Sequence, residues 1–333
     1  MKLWQKMLVP ALVVGAFTIA IPGRAEAQAA IKIDGSSTVF PVAEAFAEEF
    51  QIQNRGKVRV TVGISGTGGG FKKFCRGETD ISNASRPITK SEMEECTKTG
   101  VRYLEMPVAY DALTVVVNPK SQLAAISIEE LKKMWEPAAQ GKITNWNQVN
   151  AAFPDAPLKL FGAGADSGTF DYFTEAVMGK AKSSRGDFTA SEDDNVLVQG
   201  VSRDVNAIGF FGYAYYAENR DKLKGLAISW KGGKPVAPSE QTVLDGSYQP
   251  LSRPIFIYVN EASLKKPEVR EFVEYYNRHG AKLSKEVKYV PLPAKAYEYN
   301  LDVLAKGRVG TKFGGENKVG LTIEELMKLE AKL

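Results

Sequence analysis

Three short stretches of the chain combine glycine with hydroxyl side chains: Asp34-Gly35-Ser36-Ser37-Thr38-Val39-Phe40-Pro41, Ser65-Gly66-Thr67-Gly68-Gly69-Gly70 and Gly162-Ala163-Gly164-Ala165-Asp166-Ser167-Gly168-Thr169. Each follows an apolar run and opens a segment with helical apolar spacing. Residues of this kind at a helix start can hold an oxyanion. The first amides of a helix have no intrahelical acceptor, the dipole end is positive, and glycine lets a ligand approach the main chain. The same composition also makes ordinary N-caps, so one such turn alone means little. Three of them at the carboxyl ends of strands describe a pocket for a small anion, because ligands of open α/β sheets sit at that edge. A fourth segment, Asp80-Ile81-Ser82-Asn83-Ala84-Ser85-Arg86-Pro87, brings Ser85 and Arg86 to the same edge. The planar fork of arginine suits a tetrahedral oxyanion.

Other chemistries find little support. The chain has a single histidine, His279, which excludes a His-rich zinc site and leaves a Ser-His-Asp triad only one imidazole to build on. Gly66 to Gly70 is followed by Phe71, Lys72 and Lys73, so the Walker pattern is absent, and no G-x-G-x-x-G opens a helix. A secreted phosphate-ester hydrolase would share oxyanion-holding turns but needs metal ligands or an activated nucleophile, and neither constellation is present. The sequence therefore reads as a binding protein, not an enzyme, and implies no cofactor or metal. A net charge of +4, with 43 Lys and Arg against 39 Asp and Glu, is too small and dispersed for a nucleic-acid binder.

The elements that must position these turns alternate in type. Ile31 to Ile33 reads as a strand, followed by a helix with Phe40, Ala43, Phe46, Ala47 and Phe50 on one face. Lys57 to Ile64 and Asp80 to Ala84 are further strands, with helices starting at Gly70 and at Thr89. Tyr103 to Val117 is a long extended stretch, and Arg253 to Val259 resembles it. A capped helix, Ile126 to Trp135, and a buried strand, Leu158 to Phe161, lie between them; Pro267 to His279 is amphipathic. Two crossings imply two α/β lobes joined by a hinge: residues 28–112 with 254–333, and residues 113–253. Tyr110 and Asp111 fall at the hinge by position. Residues from about Gly310 form a polar extension, and Glu324 to Lys332 an exposed helix.

Residues 1–27 read as a signal peptide: Lys2 and Lys6, an apolar run from Met7 to Pro22, and a small-x-small box at Ala25 and Ala27. Removing them lowers the net charge to +2, since Lys2, Lys6, Arg24 and Glu26 leave together. No cysteine follows the box for lipid attachment, so the product is expected to be free in solution. Export into an oxidising compartment predicts a disulfide between Cys75 and Cys96, the only two cysteines. Ser191 to Asn195 serves equally well as a ligand-facing loop or as a helix start. Phe210, Phe211, Tyr213, Tyr215 and Tyr216 are expected in strand core, and Lys72, Lys73 and Arg76 on a solvated helix face.

The runs GSSTVFP, SGTGGGF, DISNASRP and DSGTF together resemble the periplasmic phosphate-binding protein of the phosphate ABC transporter, the PstS type and its SphX-like relatives, over nearly the whole mature chain. The resemblance implies a two-lobe type II periplasmic-binding-protein fold with an inter-lobe ligand cleft, and a periplasmic monomer that hands inorganic phosphate to a permease at the inner membrane. Position by position it puts Thr38, Val39, Thr67, Gly68, Ser85, Ser167, Gly168 and Thr169 around the ligand. Two positions depart from the pattern. Ser85 stands where many relatives carry an aspartate that accepts the phosphate proton, and Ala163 where they carry an arginine. Arg86 is expected to restore the positive charge, with Asp166 or Asp194 as the acceptor. Without a carboxylate facing the ligand the site would suit sulfate, which carries no proton at neutral pH; a sulfate or molybdate receptor on the same fold is the alternative.

Overall fold

The fold is organised around the 15-residue strand Tyr103–Val117, buried at every position because it is sandwiched throughout its length. The computed structural model describes residues 28–165, 167–191, 193–316 and 323–329. The signal-peptide reading of residues 1–27, the acceptor reading of Asp166 and the last three residues of the tail-helix reading lie outside these residues; the tail is helical over Ile323–Lys328. In chain order the strands are β1 (Ala29–Gly35), β2 (Val58–Ile64), β3 (Ile81–Ala84), β4 (Tyr103–Val117), β5 (Ala125–Ser127), β6 (Lys159–Ala163), β7 (Thr189–Ser191), β8 (Ala207–Gly212), β9 (Lys224–Gly225), β10 (Ala227–Ser229), β11 (Ser252–Asn260) and β12 (Val290–Pro291). The main sheet runs β2-β1-β3-β11-β4-β8-β6-β7, with β9 and β12 also paired to β4.

β4 changes partner along its length. Tyr103 to Ala112 pairs antiparallel with β11, and Leu113 to Val117 pairs antiparallel with β8. On one side of that change β1 pairs parallel with β2 and β3; on the other β6 pairs parallel with β7 and β8. Two parallel half-sheets thus share one long antiparallel strand, and each half carries helices on its faces.

Seven helices up to the middle of the second half are α1 (Phe40–Gln53), α2 (Gly66–Cys75), α3 (Lys90–Thr99), α4 (Ile128–Trp135), α5 (Trp146–Val149), α6 (Gly168–Met178) and α7 (Asp194–Arg203). α1 buries Val42, Ala43, Phe46, Ala47 and Phe50, with Phe46 stacked on Tyr276 at 3.7 Å. Thr89 caps α3 and Ser127 caps α4, each in a reciprocal box with a glutamate three residues on, Glu92 and Glu130. α6 is seated by aromatic packing: Phe173 stacks on Phe210 of β8 at 3.7 Å, and both meet Trp135 edge-on. A disulfide joins Cys75 at the end of α2 to Cys96 on α3, as expected.

Several local expectations need correction. The Ser65 to Gly70 segment is not a turn ahead of the helix but the opening of α2, with Ser65 at the N-cap. It is helical despite four glycines, and one of them is required by packing: a Cβ at Gly70 would lie 2.5 Å from the Gly35 Cα of β1. Phe210 and Phe211 are strand core, whereas Tyr213, Tyr215 and Tyr216 lie on the helix Tyr213–Glu218, which buries none of its residues. Lys73 is not simply solvated; its Nζ lies 2.7 Å from Asp34. The polar extension starts in the core: Gly310 bridges to Leu104, and Thr311, Lys312 and Phe313 are buried. Thr311 and the Lys312 amide both donate to Glu105, which also accepts from the Tyr258 hydroxyl at 2.6 Å.

Candidate functional site

Register places the three turns of the first half beside one another. Gly35 at the end of β1 lies opposite Ile64 of β2 and Asn83 of β3, so the segments that follow all leave from one edge of the sheet. There Thr67 of α2 and Ser85 meet: their hydroxyls are 3.0 Å apart, and the Ser85 amide donates to Thr67 Oγ1 at 3.2 Å. Ser65 leaves the amides of its own helix uncapped and donates to Asp34 instead, the carboxylate that also holds Lys73.

The next turn carries Thr38 and Val39. Val39 is the N-cap of α1 and makes no side-chain cap; its side chain is fully buried in the core, so its backbone alone can face a ligand. Thr38 is buried as well, and its carbonyl accepts from the Tyr289 hydroxyl, 251 residues away in sequence.

From the other half comes the start of α6. Ser167 is its N-cap and accepts from the Thr169 amide at 3.2 Å, which is the ordinary capping role. Gly168 meets Thr38 directly. A Cβ on Gly168 would lie 2.4 Å from both the amide nitrogen and Oγ1 of Thr38, so only glycine permits the two helix starts to approach this closely.

Arg86 is next to Gly68, whose Cβ would be 3.8 Å from its Nη2, but its fork is engaged. Nη1 and Nη2 donate to the two carboxylate oxygens of Glu92 at 2.9 and 2.8 Å, and Nη1 also donates to the Pro87 carbonyl at 3.0 Å. Burial works against its charge, yet the bonds to Glu92 prevail and hold its pKa above the ordinary value. The positive charge expected to compensate for Ala163 is therefore present at the site but already matched by a carboxylate.

Two cavities adjoin these residues. One of about 170 Å³ is walled by Ser85, Arg86, Tyr110, Tyr172, Glu175 and Arg253 among others. The other, about 180 Å³, is bounded by Thr169, Asp194, Asp111, Tyr110, Lys288 and Tyr289. Tyr110 borders both. Asp194 opens α7 behind the Asp193 N-cap, so Asp193 to Asn195 form a helix start, and Asp194 also borders the cavity of Thr169. Asp111 is buried, and desolvation pushes its carboxyl up to about 6, with Arg253 only partly countering this. Burial likewise pushes the Tyr172 and Tyr289 hydroxyls well above their ordinary range.

The structure thus joins Thr67 to Ser85, Gly68 to Arg86 and Thr38 to Gly168, and sets Thr169 on the wall of a different cavity from Ser85 and Arg86. Sequence reasoning did not reach Tyr289, Glu92, Arg253 or Glu175. Only Glu92 had a local signal, its place three residues after Thr89 in a capping box.

The chain matches the PBP superfamily domain over residues 22–278. The protein SphX of Synechococcus elongatus is 54% identical over 324 residues, 97% of this chain and 96% of its own length. The phosphate-binding protein PstS of Staphylococcus saprophyticus is 40% identical over 271 residues, 80% of this chain and 82% of its own. Among solved structures, a possible phosphate binding protein from Planctomyces limnophilus has a TM-score of 0.78 at 49% identity, covering 84% of this chain and 99% of that one. An ABC-type phosphate transport receptor from Vibrio cholerae, 23% identical with a TM-score of 0.63, shares the fold. The two-lobe periplasmic-binding fold that the resemblance implied is the fold of these proteins, and the chain belongs to the SphX and PstS family.

Proposed function

We propose that the protein captures inorganic phosphate between its two halves, without breaking a bond, and delivers it to the permease of an ABC importer. The carrying observation is the contact of Gly168 with Thr38, which sets the start of α6 from one half against the start of α1 from the other. Amides and hydroxyls of Thr38, Val39, Thr67, Gly68, Ser85, Ser167, Gly168 and Thr169 form the ligand set in this reading. Neutral donors at helix starts hold an oxyanion without matching its full charge. Arg86, balanced by Glu92, contributes donors nearby but little net charge.

Asp194 is the acceptor for the proton on phosphate; it lines the cavity of Thr169. The division into residues 28–112 with 254–333 and residues 113–253 belongs to this reading, and the partner change of β4 between Ala112 and Leu113 supports its first boundary. In this reading the protein is a monomer released into the periplasm after removal of residues 1–27, and the names of its relatives support phosphate as the cargo.

Intrinsic tryptophan fluorescence tests the proposal. Phosphate should shift the emission at micromolar concentration with sulfate failing to compete, and chromogenic phosphate esters should remain uncut. Equal competition by sulfate would exclude Asp194 as a working acceptor, and turnover of the esters would overturn the receptor reading.

A further inference from the structure

The far end of the Ser85 to Pro87 turn is held by groups outside the oxyanion turns. Ile88 follows that turn, and its buried amide donates to the Tyr258 hydroxyl of β11 at 2.9 Å. The hydroxyl donates in turn to Glu105 Oε2 of β4 at 2.6 Å. The same oxygen accepts from the Thr311 hydroxyl, and that hydroxyl accepts from the Phe313 amide at 3.1 Å. The other carboxylate oxygen, Oε1, takes the Lys312 amide at 3.0 Å. Two hydroxyls thus make the same pair of bonds, each accepting one main-chain amide and donating to one shared oxygen.

The two amides serve walls of a single cavity. Ser85, Arg86 and Pro87 border the space of about 170 Å³, and so does Phe313, which meets Phe256 edge-on at 5.5 Å. The Ser85 amide is fixed to Thr67 at one end of the turn, and the Ile88 amide fixes the other end three residues on. A hydroxyl has one proton to give, so a hydroxyl that accepts an amide keeps its orientation only while an acceptor takes that proton. Glu105, itself buried, is that acceptor for both. None of these bonds crosses to the half that carries α6.

We infer that Glu105 is a positioning residue for anion capture, one of its oxygens orienting the Tyr258 and Thr311 hydroxyls and through them the Ser85 to Pro87 turn and the Phe313 wall. A glutamine could not do the same. Its amide group would turn a donor either to the Lys312 amide or to the two hydroxyls. A buried amide that loses its acceptor is costly, so the main chain at Ile88 or Phe313 would loosen. Donors to a ligand work only while the groups behind them hold them in place. The expected effect on affinity rests on the phosphate reading above; the sharing of Glu105 by the two hydroxyls does not.

The test uses the intact protein with the near-isosteric variants Glu105→Gln, Tyr258→Phe and Thr311→Val. Hydrogen exchange at the Ile88 and Phe313 amides is followed by NMR without ligand, with the β1 amides as the measure of global stability, and phosphate affinity by tryptophan fluorescence. Glu105→Gln should speed exchange at both amides about tenfold beyond any change in β1 and weaken phosphate binding about three- to tenfold. Tyr258→Phe should act on Ile88 alone and Thr311→Val on Phe313 alone. Glu105→Gln acting on one amide only would overturn the shared acceptor, and both amides freed at unaltered affinity would reduce Glu105 to a structural residue. If Glu105→Gln does not fold, Tyr258→Phe decides in its place: faster Ile88 exchange with weaker binding supports the positioning role, and faster exchange with wild-type binding overturns it. A wild-type protein silent to phosphate would remove the functional reading and with it the effect on affinity, while the two amides would still decide whether Glu105 orients both hydroxyls.

Discussion

Replacement of Gly168 by alanine probes the contact on which anion capture depends. The new Cβ would sit 2.4 Å from the Thr38 amide nitrogen and Oγ1 and 2.6 Å from its Cα, where ordinary contact begins at 3.4 Å. Two of these three atoms belong to backbone, which cannot swing aside, so the start of α6 must withdraw from Thr38 by about 1 Å. A hydrogen bond of about 2.9 Å stretched by that amount is lost. If two donors to a shared anion are lost, at about 1.5–3 kcal/mol for each charge-assisted bond, binding weakens by about 3–6 kcal/mol, or a factor of about 10² to 10⁴. The clash lies between the two halves and is relieved by their separation, so thermal stability without ligand should change little. Titration calorimetry with phosphate and a thermal melt on the same sample make the measurement. Binding within about threefold of wild type, at an unchanged melting temperature, would refute the claim that these two helix starts close on one ligand.

Three further outcomes are expected. Replacing both Cys75 and Cys96 by serine releases a loop whose ends are 21 residues apart and should cost about 3 kcal/mol, read as a lower denaturant midpoint; an unchanged midpoint would mean that α2 and α3 are held by packing alone. Asp111 faces Arg253 from β11, Tyr172 from α6, and Tyr289, Asp194 and Lys288 around its cavity, and burial raises its pKa to about 6. The stability of its neutral form is complete below about pH 4 and lost as pH rises through about 6, so Asp111→Asn should raise the melting temperature at about pH 8 and have little effect at about pH 4. A gain independent of pH would reject that account. Asp194→Asn removes the acceptor proposed for the phosphate proton, so sulfate should begin to compete in the fluorescence titration; continued exclusion of sulfate would assign that role elsewhere.

What could be read from the chain was local in origin. Short apolar runs located β1, β2 and β11 to within two residues, and the Tyr103 to Val117 stretch coincides with β4, whose end from Leu113 to Val117 is almost wholly apolar. Thr89 with Glu92 and Ser127 with Glu130 announced two helix starts through bonds that close within four residues. The glycine and hydroxyl turns announced oxyanion chemistry for the same reason: amides at a helix start are unpaired whatever surrounds them.

Interactions across the fold were not readable in this way. The Ser65 to Gly70 segment opens a helix that packs on β1 so closely that Gly70 admits no side chain beside Gly35. The tyrosines after Gly212 form a helix although their aromatic run suits a strand, and Lys312 is buried although its neighbours look like a polar tail. Arg86 looked available until Glu92 folded back onto it, and Arg253 finds Glu175 across 78 residues and Tyr289 finds Thr38 across 251. Helical and strand periods, caps and turns follow from the backbone within a few residues. Which helix start faces which, and which carboxylate answers an arginine, follows from the order of strands in the sheet, and that order is set by burial over the whole chain.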